Sequence, residues 1–281
     1  MKVLLTGASG QLAQAVLRTW QAHELLGPDE TSLDLADRDS IRAAMATFRP
    51  DAVLNLGAFT QVDRCEAEEE RATLVNGTAV GWLAEACAAQ GTVLVQISTD
   101  YVFDGQGARP YREEDPASPL SAYGRSKLLG EAMARLAPRH LIARTSWLYD
   151  HQGRNFFTTM LDKAARGEPI RVVDDQRGAP TSCGALALQL EAALTGGWQG
   201  LVHMTCQGET TWHGFAVEIF RQMGVEADLR PCLTAEFKTA ARRPAYSVLC
   251  GDKRRLLGRD LMPPWQEALA QVASVRKGER P

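Results

Sequence analysis

Near the N-terminus, Thr6-Gly7-Ala8-Ser9-Gly10-Gln11-Leu12-Ala13 separates an apolar run, Val3-Leu4-Leu5, from a segment of helical period. Leu12, Val16 and Trp20 in that segment share one face. Gly7 permits a tight turn, Gly10 lets a pyrophosphate approach the backbone at a helix N-terminus, and Ala13 lets the helix pack closely. A Gly-x-x-Gly by itself marks only a strand–helix turn. At the head of a βαβ chain it is a dinucleotide-binding signal.

The chain continues in that pattern. A short strand is expected at Glu24-Leu25-Leu26, then a helix capped by Ser40 and running through Phe48, with Pro50 beyond its end. A strand over 52–55, a helix over 66–90, a buried strand over 92–97, a helix over 121–137 and a strand over 141–143 follow. Strands alternating with helices predict an α/β fold with a Rossmann-type, doubly wound parallel sheet. The alternation weakens after Tyr149. Residues 1–149 are therefore expected to form an NAD(P)-binding Rossmann domain. Residues 150–281 are expected to form mainly a smaller, mixed α/β substrate domain, with some segments returning to the first. Helices are expected there near 155–166, 184–194, 212–223 and 265–272, with brief strands at 170–173 and 201–204. The end, from Arg276, reads as a frayed tail.

With 31 basic and 34 acidic side chains among 281 residues, the net charge of −3 argues against nucleic acid or a membrane surface as partner. No apolar run approaches the ~18 residues of a bilayer span. Val3-Leu4-Leu5 is too short for a signal-peptide core. Cys65, Cys87, Cys183, Cys206, Cys232 and Cys250 are scattered, with neither a Cys-x-x-Cys pair nor histidines at zinc spacing. Reduced thiols, no metal and a cytoplasmic location are expected.

Asp29 and Glu30 follow the second strand, and no arginine or lysine lies between His23 and Asp37. A carboxylate there accepts from a free ribose 2′-hydroxyl and leans the expectation toward NADH. Ser98-Thr99-Asp100 ends the fourth strand, and Tyr123-Gly124-Arg125-Ser126-Lys127 opens the next helix. Residues i and i+4 stand together on a helix, so Tyr123 and Lys127 face one spot. A phenol titrates near ~10 and needs a nearby cation to serve as an acid–base group, which Lys127 supplies. Thr99, at the carboxyl edge of the sheet, can hydrogen-bond a substrate carbonyl beside the tyrosine.

These residues resemble the extended short-chain dehydrogenase/reductase superfamily and, within it, the dTDP-4-dehydrorhamnose reductase family. The narrower resemblance rests on 55–66, Val75-Asn76, Ser98-Thr99-Asp100-Tyr101-Val102-Phe103-Asp104-Gly105, Pro110-Tyr111, 123–131, Arg144-Thr145-Ser146-Trp147 and 175–181. It fades after about residue 250. It implies NADPH or NADH as cofactor and a dTDP-linked 4-keto-6-deoxyhexose as substrate, reduced at C4 to give dTDP-L-rhamnose. Thr99, Tyr123 and Lys127 would be catalytic. Gly7, Gly10, Gln11 and Leu12 would hold the cofactor phosphates, Asp34 and Leu35 would flank the adenine, and Gly57, Ala58, Phe59 and Ile97 would continue the groove. Val62, Asp100 and Trp147 would position the sugar, with Asn155 and Arg243 toward the nucleotide diphosphate.

Some family members dimerise around a magnesium ion held by glutamates. Here one of those positions is Ala15, so no metal is carried over, and a homodimer is left among the implied assemblies. Family dehydratases place a glutamate where this chain has Tyr101, which favours simple carbonyl reduction over elimination. Two alternatives stay open: a reductase of another nucleotide-linked 4-keto-6-deoxy sugar, and a non-catalytic, cofactor-binding regulatory subunit resembling that of methionine adenosyltransferase. Read without the resemblance, Trp147 is a core residue, His203 and His213 are packing or surface residues, Arg242-Arg243-Pro244 is a solvated loop, and Glu66, Glu68, Glu69 and Glu70 mark a helix start.

Overall fold

A computed structural model describes residues 1–29 and 32–278. The first five strands are β1 (Lys2–Thr6), β2 (Glu24–Leu26), β3 (Ala52–Asn55), β4 (Val93–Thr99) and β5 (His140–Thr145). Shorter ones follow: β6 (Leu148–Tyr149), β7 (Ile170–Val173), β8 (Arg177–Gly178), β9 (Thr181–Ser182), β10 (Gly200–His203), β11 (Thr210–Thr211) and β12 (Leu229–Cys232). Six strands form one sheet in the order β2-β1-β3-β4-β5-β10, every pairing parallel. The sixth strand comes from the second half of the chain, so that half does return to the sheet.

The helices are α1 (Gln11–Thr19), α2 (Arg38–Phe48), α3 (Val62–Ala67), α4 (Glu69–Thr73), α5 (Ala79–Gln90), α6 (Ala122–Ala134), α7 (Phe156–Ala165), α8 (Cys183–Thr195), α9 (Trp212–Met223), α10 (Asp252–Leu256) and α11 (Trp265–Lys277). Both faces of the sheet are covered, which is why its strands are apolar throughout rather than alternating. Val3, Leu5, Leu54, Val95 and Val202 point to one face and pack with Val16 of α1 and Leu186 and Leu190 of α8. Leu4, Val53, Leu94 and Ile142 point to the other and pack with Ile41 of α2 and Val80 and Leu83 of α5. A separate core around Tyr149, Phe157, Phe215 and Trp265 holds α7, α9 and α11 together.

Four local expectations are corrected. The cap of α2 is Asp37, whose carboxylate accepts from the Asp39 N–H, while the Ser40 hydroxyl accepts from the Asp34 N–H. The single helix expected over 66–90 is three helices with a π-turn at Leu74–Thr78. Tertiary hydrogen bonding imposes the interruption: buried Asn76 takes both the N–H and the C=O of Phe59 and donates to the Ser126 hydroxyl. The last helix extends to Lys277 and is closed by Gly278, so Arg276 and Lys277 are helical; residues 279–281 of the expected tail lie outside the described residues. Finally, the first acidic cluster does more than start a helix. Glu66 accepts from the Ala122 N–H at 2.8 Å and Glu69 pairs with Arg125, so both tie down the start of α6.

Candidate active site

Strand order reverses between β1 and β3, which places a crevice at their carboxyl ends. The turns leaving the two strands touch. Gly7 sits at φ +61°, and a Cβ there would lie 2.6 Å from the Gly57 Cα, so neither a left-handed backbone nor this approach tolerates a side chain. Thr6 ties the pair together: its hydroxyl donates to Asn55 Oδ1 at 2.5 Å and accepts from the Gly57 N–H at 3.0 Å. Gly10 caps α1 without any side-chain partner, and no acidic residue occupies the first turn. The N–H groups at this helix end therefore face the cleft with their positive end uncompensated.

A cleft of about 560 Å³ runs from this turn across the ends of β3, β4 and β5. Gly7, Gly10, Gln11, Leu12, Gly57, Ala58 and Ile97 line it, as do Thr99, Tyr123 and Lys127. Val62, Asp100, Trp147 and Asn155 line it too. Asp34, Leu35, Phe59 and Arg243 are not in its lining. Leu35 instead packs on Gly57, where a Cβ would approach its Cδ1 to 2.6 Å. Asp34 caps its own turn, accepting from the Ala36 N–H. Phe59 turns into a small core with Cys65, Ala72 and Ala122, under the guanidinium groups of Arg64 and Arg71. Asp29 is exposed, its carboxylate accepting from the Ser32 N–H, and Glu30 lies outside the described residues.

Buried contacts fix α6 against the sheet. Glu131 accepts from the Ser98 hydroxyl at 2.6 Å and from Arg144 through two parallel bonds of 2.7 and 2.8 Å, all buried. Ser126 donates to the Tyr123 carbonyl and accepts from Asn76. The helix therefore presents Tyr123 and Lys127 to the cleft from a fixed base. Lys127 is 3% exposed, not the solvated helix face of a chance spacing, and its Nζ donates to the Ile97 carbonyl at 2.6 Å. Burial pulls its pKa down to about 8, with Glu131 one turn away opposing the shift.

Burial pushes the Tyr123 phenol well above its ordinary value, against the pull of a hydrogen bond with Thr99. The phenol is thus protonated at neutral pH, as a proton donor must be. Tyr101 packs edge-on to it at 5.7 Å. Asp100 is 1% exposed; burial raises it to about 6, against hydrogen bonds from Ser247 and Thr99. Its second oxygen, Oδ2, is buried without a partner, as are Gln11 Oε1 and Thr145 Oγ1 in the same lining. Three orphaned polar atoms along one cleft are the mark of a ligand site, because buried polar groups are otherwise satisfied. A glycine cradle, an open helix N-terminus, a buried lysine and these orphans fit a dinucleotide cofactor beside a polar substrate.

Trp147 has a left-handed backbone, φ +49°, and its indole stacks on Trp212 with centroids 3.7 Å apart and planes 9° from parallel. Asn155 caps α7: its Oδ1 accepts from the Thr158 N–H and its Nδ2 donates to the Asp150 and Gln152 carbonyls. Arg243 is bound by both carboxylate oxygens of Asp63, which its guanidinium holds below the usual carboxylate range. Tyr101, Arg154 and Trp212 line the cleft without having been singled out as site residues. No local pattern marks them; Trp212 is 65 positions from the tryptophan it stacks on, and a cleft assembled from distant segments leaves no periodic signal. Among the described residues no three histidine, cysteine, aspartate or glutamate side chains are grouped to hold a metal.

The sequence matches the family described as RmlD substrate binding domain over residues 1–277. It is 41% identical over 280 residues to the dTDP-4-dehydrorhamnose reductase of Streptomyces griseus, covering 95% of this chain and 91% of that protein. A crystal structure of a dTDP-4-dehydrorhamnose reductase from Clostridium acetobutylicum is similar with a TM-score of 0.95 and 38% identity, over 99% of this chain and 100% of that one. The Bacillus anthracis dTDP-4-dehydrorhamnose reductase, solved in complex with NADP, is similar with a TM-score of 0.94 and 33% identity, over 96% and 98%.

Proposed function

The chain belongs to the RmlD substrate-binding-domain family, and we propose on that footing that it reduces the C4 keto group of dTDP-4-dehydro-L-rhamnose, with NADPH or NADH, to give dTDP-L-rhamnose. The observation that carries the reading is the meeting of Thr99, Tyr123, Lys127 and Asp100, whose Oδ2 has no partner, in one cleft. The glycine turn would hold the phosphates of a nicotinamide dinucleotide, which when bound would supply the hydride to C4. Tyr123 gives its phenolic proton to the C4 oxygen, so the carbonyl gains one hydride and one proton and becomes a secondary alcohol. Thr99 donates to the same oxygen and polarises it. Lys127, cationic at neutral pH, holds the nicotinamide ribose and steadies the phenolate left on Tyr123. Asp100 accepts from a sugar hydroxyl through Oδ2, and Val62 and Trp147 bound the hexose. Gly7, Gly10, Gln11 and Leu12 hold the cofactor phosphates, with Gly57, Ala58 and Ile97 along its path.

The same reading divides the chain into a cofactor domain over 1–149 and a mainly substrate-binding remainder. It places the protein in the cytoplasm, in keeping with six unpaired thiols; no helix among the described residues is long and apolar enough to cross a membrane. A homodimer is part of it as well, supported by an apolar groove between α5 and α6 lined by Trp82, Leu129, Met133 and Leu136. Sedimentation at micromolar protein that shows only monomer would remove the dimer.

Purified protein mixed with dTDP-4-keto-6-deoxyglucose and a 3,5-epimerase, followed by NADPH and NADH absorbance in separate assays, tests the activity. Oxidation that requires the epimerase is expected. Oxidation without it would mean another deoxysugar product, and cofactor binding without oxidation would leave a regulatory subunit.

A further inference from the structure

A nucleotide sugar carries a diphosphate, which a cationic side chain binds through charge-assisted hydrogen bonds. Both side chains that the resemblance offered are engaged elsewhere. The Asn155 amide is occupied in capping α7 and closing the loop before it, and Arg243 is paired with Asp63 outside the cleft lining. Lys127 lies beside Tyr123 and is bound to Ile97. One more cation lines the cleft, Arg154.

Arg154 stands in the loop between β6 and α7, exposed, and among the described residues its guanidinium has no carboxylate partner. The nearest acid in sequence, Asp150, is already engaged by Arg18 and by His151. The backbone around Arg154 is nonetheless pinned. Gly153 turns at φ +74°, its carbonyl accepts from the Thr158 hydroxyl at 2.7 Å, and Asn155 holds the Asp150 and Gln152 carbonyls at 2.9 and 3.0 Å. A fixed loop thus carries an unpaired guanidinium at the wall of the cleft that holds the reducing groups. Guanidinium is the side chain best matched to phosphate oxygens, through two parallel N–H donors.

We propose that Arg154 binds the diphosphate of the nucleotide-sugar substrate, and that Asn155 is a positioning residue that holds its loop. The assignment rests on the reductase reading. The cofactor's own pyrophosphate is the rival source of the same chemistry, and it already has the α1 N-terminus, where Gly10 and Gln11 line the cleft.

The test is Arg154→Gln with Arg154→Lys beside it, in the full-length protein, titrated with dTDP, thymidine and NADPH and assayed with dTDP-4-dehydrorhamnose. Charge-assisted contacts to phosphate predict that Arg154→Gln weakens dTDP and raises the sugar-substrate KM about 10–100-fold. Thymidine and NADPH affinity stay unchanged, and Arg154→Lys recovers part of the loss. Asn155→Ala should raise the same KM by a smaller factor while dTDP binding keeps the salt dependence of the unmodified protein, which Arg154→Gln reduces. Loss of NADPH affinity with dTDP unaffected would move Arg154 to the cofactor and overturn the proposal. Unchanged affinity for both would make it a solvated surface cation and overturn it as well. If the unmodified protein neither binds dTDP nor turns over, the reductase reading fails first; if it does both and Arg154→Gln behaves identically, only this assignment fails.

Discussion

Gly178→Ala isolates how the Trp147 indole is held. Gly178 is buried in β8, and its φ lies outside the left-handed region, so an alanine there is not strained by its backbone. Its Cβ, however, would fall 2.6 and 2.7 Å from Cζ2 and Nε1 of Trp147, and closer still to Cε2. Carbon atoms pack at roughly 3.5–4.0 Å, so the indole must move by about 1 Å. Its freedom is small: the stack on Trp212 fixes its plane, and Phe156 supports Trp212 at 4.7 Å. If the indole resists, overpacking costs about 1–3 kcal/mol of stability. If it yields, the stack opens and the wall of the cleft moves with it. Urea unfolding reads the first outcome; near-UV circular dichroism of the stacked indoles and the substrate KM read the second. Trp147→Phe in the Gly178→Ala background trims the clashing indole and should recover part of the stability without restoring KM, a coupling that a double-mutant cycle measures. Gly184→Ala serves as control, because nothing lies within 4 Å of its Cβ and a helical alanine is favoured by about 0.5–1 kcal/mol. Gly178→Ala with unaltered stability, dichroism and KM would show that the indole is not held as described.

Tyr123→Phe should lower kcat about 10²–10⁴-fold, the usual worth of a positioned proton donor, and leave NADPH affinity nearly unchanged; near-normal turnover would remove Tyr123 from the reaction. The pH profile of kcat/KM should be bell-shaped. Burial raises Asp100 to about 6, so below that pH it is protonated and accepts poorly from the sugar; burial lowers Lys127 to about 8, so above that pH its charge is lost. Asp100→Asn should remove the acid limb, and an acid limb that survives it belongs to another group. His203 is buried, and burial with the neighbouring Arg144 lowers it to about 3. The unfolded chain binds a proton near 6.5 that the folded chain refuses, so stability falls as pH drops from about 6.5 toward 3, by up to about 1.4 kcal/mol per pH unit. His203→Gln should flatten urea-derived stability over that range, and an equal slope in both proteins would refute the assignment.

How much of this was legible in the sequence depended on whether the cause was local. Val3-Leu4-Leu5, Ala52–Asn55 and the helix Trp212–Met223 are set by apolar pattern and caps, and each stands where the pattern put it. The glycine turn and the Tyr123–Lys127 spacing were readable because backbone geometry and helical pitch leave fixed traces in a sequence. The π-turn at Leu74–Thr78 was not, since it answers to Phe59 and Ser126, which no window around Asn76 contains. Ser40 looked like a cap by residue type, but Asp37 stands three residues earlier and takes the position. Asn155 and Arg243 came from the resemblance, and only the folded chain shows Asn155 engaged in capping α7 and Arg243 paired with Asp63.

The split between local and distant causes also separates chemistry from choice of substrate. Thr99 ends a sheet strand and Tyr123 and Lys127 stand on a helix locked to that sheet by Glu131, Arg144 and Ser98, so the distances between them are set by the fold. Rigid elements suit groups that must meet one carbonyl in one geometry. Trp147, Arg154 and Trp212 stand instead on turns and at a helix start, outside the large sheet, where exchange of a side chain leaves the reducing groups undisturbed. Exchanges confined to 147–155 and 212 should therefore alter which nucleotide or sugar is accepted, through KM, while the pH limbs set by Asp100 and Lys127 stay in place. A change in those limbs caused by a substitution at Arg154 would show that recognition and proton transfer are coupled through the cleft rather than carried by separate elements.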